Sequence, residues 1–179
     1  MARSGTAPVT EFLCYHRDRP GSMPVRERLV EEHWSYMDGF ELIARGPTFA
    51  DGVVTGSVHV VDVPDAAAAR AFAFDEPIYQ AGGYRDVLVR RWRNALGRTM
   101  WDSPRGGGHL VLGFGSGEAA DLVPARPEEL IAYGPLLSDD GNAWLGTAAL
   151  VRSTDPRSIL TPDRYDAVEV HEWEFGGRR

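Results

Sequence analysis

Lysine is absent from this chain: all 19 basic residues are arginine. Without a lysine amine there is no Schiff-base nucleophile, hence no pyridoxal phosphate chemistry, and no P-loop lysine. Cysteine is nearly absent as well. Cys14 stands alone, so no intrachain disulfide and no Cys-x-x-Cys zinc site is available. Positive charge is in short supply, because 26 acidic residues leave a net charge of −7. Nucleic acid and anionic membrane surfaces are therefore not expected partners, since both demand a basic face. No apolar run approaches the roughly 18 residues of a spanning helix. Met1 to Thr10 hold no apolar signal core, and the expected location is cytoplasmic. The five histidines are scattered without ligand spacing, so neither a metal nor a cofactor is expected.

What is present is 179 residues, enough for one medium domain or two small ones, and an internal repeat. Leu42-Ile43-Ala44-Arg45-Gly46-Pro47 recurs as Leu130-Ile131-Ala132-Tyr133-Gly134-Pro135, five of six identical. Asp51-Gly52 is answered by Asp140-Gly141, and Gly56-Ser57 by Gly146-Thr147. Tyr84, Val87, Val89 and Trp92 are answered by Tyr165, Val168, Val170 and Trp173. This order reads as two copies of one unit, residues 8–100 and 107–176, joined by a linker at 101–106.

Each copy reads as β-α-β-β-α-β, the ferredoxin-like split pattern of an α+β protein. In the first copy, strands fall at Glu11 to Arg17, Leu42 to Ala44, Val53 to Val63 and Tyr84 to Trp92. A first helix runs from Ser22 to about Met37, with Pro24 in its first turn. Asp51-Gly52 turns a hairpin, and Asp65 caps a second helix over Ala66 to Phe74. The second copy is trimmed. Only Glu118 to Glu129, broken by Pro124 and Pro127, is available for its first helix, and Pro156 to Leu160 for its second.

His33 shares the apolar stripe of the first helix with Val30 and Met37, which faces it toward the sheet. An imidazole held there suits proton transfer. Asp75 and Glu76 end the second helix, where the dipole disfavours acids, so either is a candidate partner. Ser57 and His59 share a strand face by alternation and are candidate substrate contacts, though a surface or interface role is equally open for His59. His16 reads as surface. Trp34 and Tyr79 are candidate walls for a flat ligand, with Tyr36, Tyr84 and Trp92 as further aromatics. Gly113-Phe114-Gly115-Ser116-Gly117 mimics a dinucleotide loop, but its third glycine is displaced.

Residues Phe12 to about Asn94 resemble the YCII-related family, ferredoxin-like proteins of the dimeric α/β-barrel group. The resemblance rests on His33-Trp34, Ala44 to Pro47, Thr55-Gly56-Ser57, and Glu76-Pro77 followed by Ala81-Gly82-Gly83-Tyr84. It implies that the two copies form a pseudo-dimeric α/β barrel within one chain, with a degenerate second copy, and it allows a homodimer of fused chains. It further implies a His–carboxylate acid/base pair, His33 with Glu76 or Asp75. Here glutamate stands where the family's Asp-Pro pair has aspartate. The expected function is cofactor-independent lyase or isomerase chemistry on a small cyclic or aromatic molecule. The alternatives are a non-catalytic module that binds a small ligand or acts as a scaffold, and a haem- or flavin-using monooxygenase.

Overall fold

A computed structural model describes residues 9–178. Residue 8, at which the first copy was expected to begin, and most of the segment inspected for a signal core lie outside them. The first half runs β1 (Thr10–Asp18), α1 (Met23–Arg28), α2 (Val30–Met37), β2 (Glu41–Ala50), β3 (Val53–Val63), α3 (Ala66–Phe74), α4 (Pro77–Gln80) and β4 (Tyr84–Trp92). The second half supplies β5 (Gly107–Phe114), β6 (Leu130–Leu137), β7 (Trp144–Val151) and β8 (Ala167–Glu174). Between those strands the described residues hold only 3₁₀ turns at Pro127–Glu129 and Pro156–Ile159.

All eight strands pair antiparallel in one closed barrel, ordered β1-β3-β2-β8-β5-β7-β6-β4. Within the first half the order is β4-β1-β3-β2, and within the second β8-β5-β7-β6, the same order by position. The halves meet at two short seams. Thr48 and Phe49 of β2 pair with Trp173 and Glu172 of β8, while Arg91 and Trp92 of β4 pair with Leu137 and Leu136 of β6. Backbones approach closely at both. A side chain at Gly46 would strike Trp173 and Glu174, and one at Gly134 would strike Trp92 and Arg93.

Strand alternation divides the apolar residues between two faces. Leu13, Tyr15, Val58, Val60, Trp92, Leu110, Leu112, Leu150 and Trp173 point inward and fill the barrel with one core drawn from both halves. Phe12, Cys14, Val61 and Val63 point outward, where Met37 of α2 and Ala69, Phe72 and Ala73 of α3 cover them. On the second half's outer face, Val111, Leu130, Tyr133, Ala149 and Val151 pack under Ile159 and Leu160.

Several sequence expectations are corrected in detail. The first helix is broken at Leu29 (φ −106°, ψ 12°) into α1 and α2. The second strand reaches Ala50 rather than stopping near Ala44, because the Asp51-Gly52 turn takes left-handed backbone at both residues (φ +50° and +74°) and carries pairing to its edge. The expected Glu118 to Glu129 helix is absent among the described residues, as its prolines dictate, and the second shrinks to a 3₁₀ turn. At the expected linker, Trp101 packs against the barrel core beside the fully buried Met100.

Candidate active site

The outer face of β1, β3 and β2 forms a floor under α1 and α2. Register places Cys14, His59 and Arg45 side by side across the three strands, with His16, Ser57 and Pro47 in the neighbouring row. A cavity of about 280 Å³ opens over this floor. Arg26 of α1, His33 and Trp34 of α2, Ile78 of α4 and the segment Phe175 to Gly177 close it.

The helix break serves this geometry. By ending α1 at Arg28 and restarting at Val30, the chain turns both Arg26 and His33 toward the floor. His33 is 8% exposed and Glu76 is fully buried; His33 Nδ1 lies 2.6 Å from Glu76 Oε1. Glu76 is the N-cap of α4, and its other oxygen accepts the Tyr79 backbone N–H at 2.8 Å. The acid therefore sits at the favourable end of a helical turn, not at the unfavourable end of α3 that the sequence suggested. Burial pushes the Glu76 carboxyl up, but the His33 hydrogen bond and charge and the Tyr79 and Ile78 amides hold it below the usual range. An ionised Glu76 accepts from His33 Nδ1–H, which leaves Nε2 as the basic nitrogen.

Arg26 is fixed by a fork to Asp18, Nε to Oδ2 at 2.7 Å and Nη2 to Oδ1 at 2.5 Å. Both its terminal nitrogens also donate to Ser57 Oγ at 3.1 Å, which leaves the Ser57 hydrogen to be donated elsewhere. The His59 ring stands 5.6 Å from the His33 ring and 5.9 Å from that of His16. Burial, then the neighbouring His33, holds His59 well below its ordinary value, so it is a neutral imidazole. His16 is likewise lowered, chiefly by burial, and its Nε2 lies 2.8 Å from the Ala73 carbonyl oxygen.

The structure thus gathers His33, Glu76, Ser57, His59 and Trp34 at one cavity. Asp75 is exposed at the C-cap of α3, apart from the His33 contact. The Tyr79 ring packs on Phe74 at 5.2 Å and does not line the cavity; its contribution is the backbone N–H to Glu76. His16, read as surface, and His59, a candidate substrate contact for which a surface or interface role was also open, are both buried because they face the helices rather than solvent. Sequence reasoning missed Arg26, Arg45 and the Phe175 to Gly177 wall, which comes from beyond the first half. The second half has no such floor. Tyr133 opposite Ala149 stands where Arg45 faces His59, and the Tyr133 hydroxyl donates to the Asp121 carbonyl. A larger cavity, about 730 Å³, lies at the β2–β8 seam, but its Arg152 is already spent on the Pro104 and Gly107 carbonyls. Among the described residues no His/Cys/Asp/Glu cluster suits a metal ion, and no helix is long and apolar enough to cross a membrane.

A closed antiparallel barrel with helices over one half, and a buried His–carboxylate pair between helix and sheet, defines an α+β barrel protein with a cavity beside that pair. Residues 10–93 match the family model of the YCII-related domain. Similar solved structures include 5-chloro-2-hydroxyhydroquinone dehydrochlorinase from Burkholderia phenoliruptrix AC1100, in complex with 2,5-dihydroxybenzoquinone. It is 28% identical, with 47% of this chain and 94% of that one covered and a TM-score of 0.45. An anthrone oxidase-like protein is 10% identical over 98% of this chain and 94% of that one, with a TM-score of 0.52, a likeness of fold. No curated protein matches in sequence.

Proposed function

We propose that this protein is a cofactor-independent acid/base enzyme of the lyase or isomerase type, acting on a small cyclic molecule. The observation that carries the reading is the 2.6 Å contact between His33 Nδ1 and the buried Glu76, at the wall of a half-open cavity. The cavity's roughly 280 Å³ suits one substituted ring, given that an apolar cavity of roughly 150 Å³ holds benzene. His33 Nε2 takes a proton from an acidic C–H beside a carbonyl; the C–H electron pair forms a C=C bond and the carbonyl π pair moves onto the oxygen, giving an enolate. Glu76 holds the tautomer and stabilises the imidazolium. Ser57 donates to the oxygen that gains charge. The enolate then collapses by taking the proton back at another carbon, an isomerisation, or by expelling a leaving group, an elimination. His59 and Trp34 shape the cavity. The two halves, with their matching strand orders and reciprocal glycine–tryptophan seams, are read as ferredoxin-like copies of one unit forming a pseudo-dimeric barrel, of which only the first keeps a working floor.

The test incubates wild type and His33→Asn with a small-molecule extract of the source organism and follows every mass. A compound consumed by wild type and spared by the variant, with a rate loss of about 10²- to 10⁴-fold, supports the reading. Equal consumption by both, or none by wild type, overturns it; a compound bound but unchanged would mark a binding module instead.

A further inference from the structure

The carboxylates around the cavity are all taken. Asp18 is forked by Arg26 and also accepts from Ser22, Glu76 accepts from His33 and the Tyr79 amide, and Asp38 accepts from Arg178 Nε and Nη2. One cation is left over. Arg45 is 4% exposed, yet its guanidinium makes no hydrogen bond or ion pair among the described residues; Asp38 acts on it only at longer range and is already engaged by Arg178. Buried charges in proteins are paired or hydrogen-bonded, because an unpaired one forfeits several kcal/mol of hydration.

The residue is also held firmly. Its backbone N–H donates to Met100 Sδ at 3.0 Å and its carbonyl accepts from the Gly176 amide at 3.3 Å. Gly177 lies directly on the guanidinium, where a Cβ would strike it. Arg45 faces His59 across the β2–β3 ladder and lines the same cavity as His33 and Ser57. Five donors in a rigid fork, fixed at a cavity wall with no hydrogen-bond or ion-pair partner among the described residues, fit a planar oxyanion.

We propose that Arg45 binds an anionic oxygen group on the substrate, so that the pocket takes a small ring bearing a carboxylate or an ionised ring hydroxyl. This rests on the acid/base reading of the same pocket and names its substrate class. Once His33 has taken the proton, its pair with Glu76 is neutral as a whole. Arg45 is then the cation without a contact partner facing the negatively charged intermediate.

Calorimetry on the full chain tests this with matched probes: benzoate against benzamide, and 4-nitrophenolate against 4-nitroanisole at alkaline pH. A charge-assisted hydrogen bond is worth about 1.5–3 kcal/mol, which predicts about a 10- to 100-fold preference for one anion over its neutral match. The arm that shows it separates a carboxylate from a ring oxyanion. Arg45→Gln should remove that preference while leaving the neutral probe's affinity unchanged, and Arg45→Lys should keep part of it. Equal wild-type affinity within both pairs, no binding of either anion, or a preference that survives Arg45→Gln would each overturn the proposal. Should Arg45→Gln not fold, the wild-type comparison and Arg45→Lys decide. His33→Asn should lose turnover and keep the anion preference, so failure of the acid/base reading and failure of the anion reading show in different measurements.

Discussion

Glu76 and the two inner histidines give the folded chain a definite pH dependence. The Glu76 carboxyl, held low mainly by His33 against the opposing effect of burial, stabilises the fold above its ordinary value of 4.5 and stops doing so as pH falls through its lowered one. Glu76→Gln should therefore flatten the acid limb of a urea-unfolding series below about pH 4.5 and cost about 1–3 kcal/mol at neutrality. His16 and His59 act earlier. Both are depressed by burial, so below 6.5 the unfolded chain takes up protons that the folded chain refuses. Stability should fall by about 1.4 kcal/mol per pH unit for each of them, and His59→Leu should remove one such share of the slope. Of these residues, His33 was legible from its place on an apolar helical stripe. The choice between Glu76 and Asp75 was not, because it turns on which one caps α4. Arg45 escaped notice although the repeat points at it: in a hexapeptide matched at five positions, the one mismatch, Arg45 against Tyr133, is the position that separates a polar floor from an apolar one.

Among the elements, the closing wall is the most exposed to test. Gly177 has φ +71°, where an L side chain costs about 1–2 kcal/mol, and its Cα rests on the Arg45 guanidinium. Gly177→Ala should lower the melting temperature slightly and weaken binding of whichever anion the wild type prefers, while the far-ultraviolet dichroism stays unchanged. The elements that were legible carry strong local chemistry. Asp51-Gly52 made its turn, the Asp65 side chain caps α3 by accepting the Ala68 amide at 2.8 Å, and β4 has the expected bounds. Those that were not legible are set by tertiary contacts. The break at Leu29 aims two side chains at one cavity, and α4 is a four-residue turn with Pro77 at its start, too short to carry a period.

For the whole molecule, the interior is one core shared by both halves, and this governs what either can do alone. Trp173 is buried in the barrel against Gly46 of the other half, so Trp173→Ala should cost about 3–5 kcal/mol. Residues 1–104 expressed alone would leave Leu13, Tyr15, Val58 and Val60 uncovered, together with two open strand edges at β2 and β4. That fragment should run as a dimer or larger species in sedimentation experiments; a stable monomer would contradict reading the halves as interchangeable copies of one unit. The repeated hexapeptide falls on β2 and β6, which hold the same place in the strand orders of the two halves. It did not reveal which sheet face the parts share, since alternation places apolar residues on both.

Both halves belong to one polypeptide. In an assembly of identical subunits every substitution appears in every subunit, so a tyrosine that plugs one site plugs them all. Here Tyr133 and Arg45 occupy matching register positions on a single closed sheet, and each can be changed without touching the other. One half is thereby free to keep an apolar, packed outer face, while the other keeps buried charged and polar groups around its cavity.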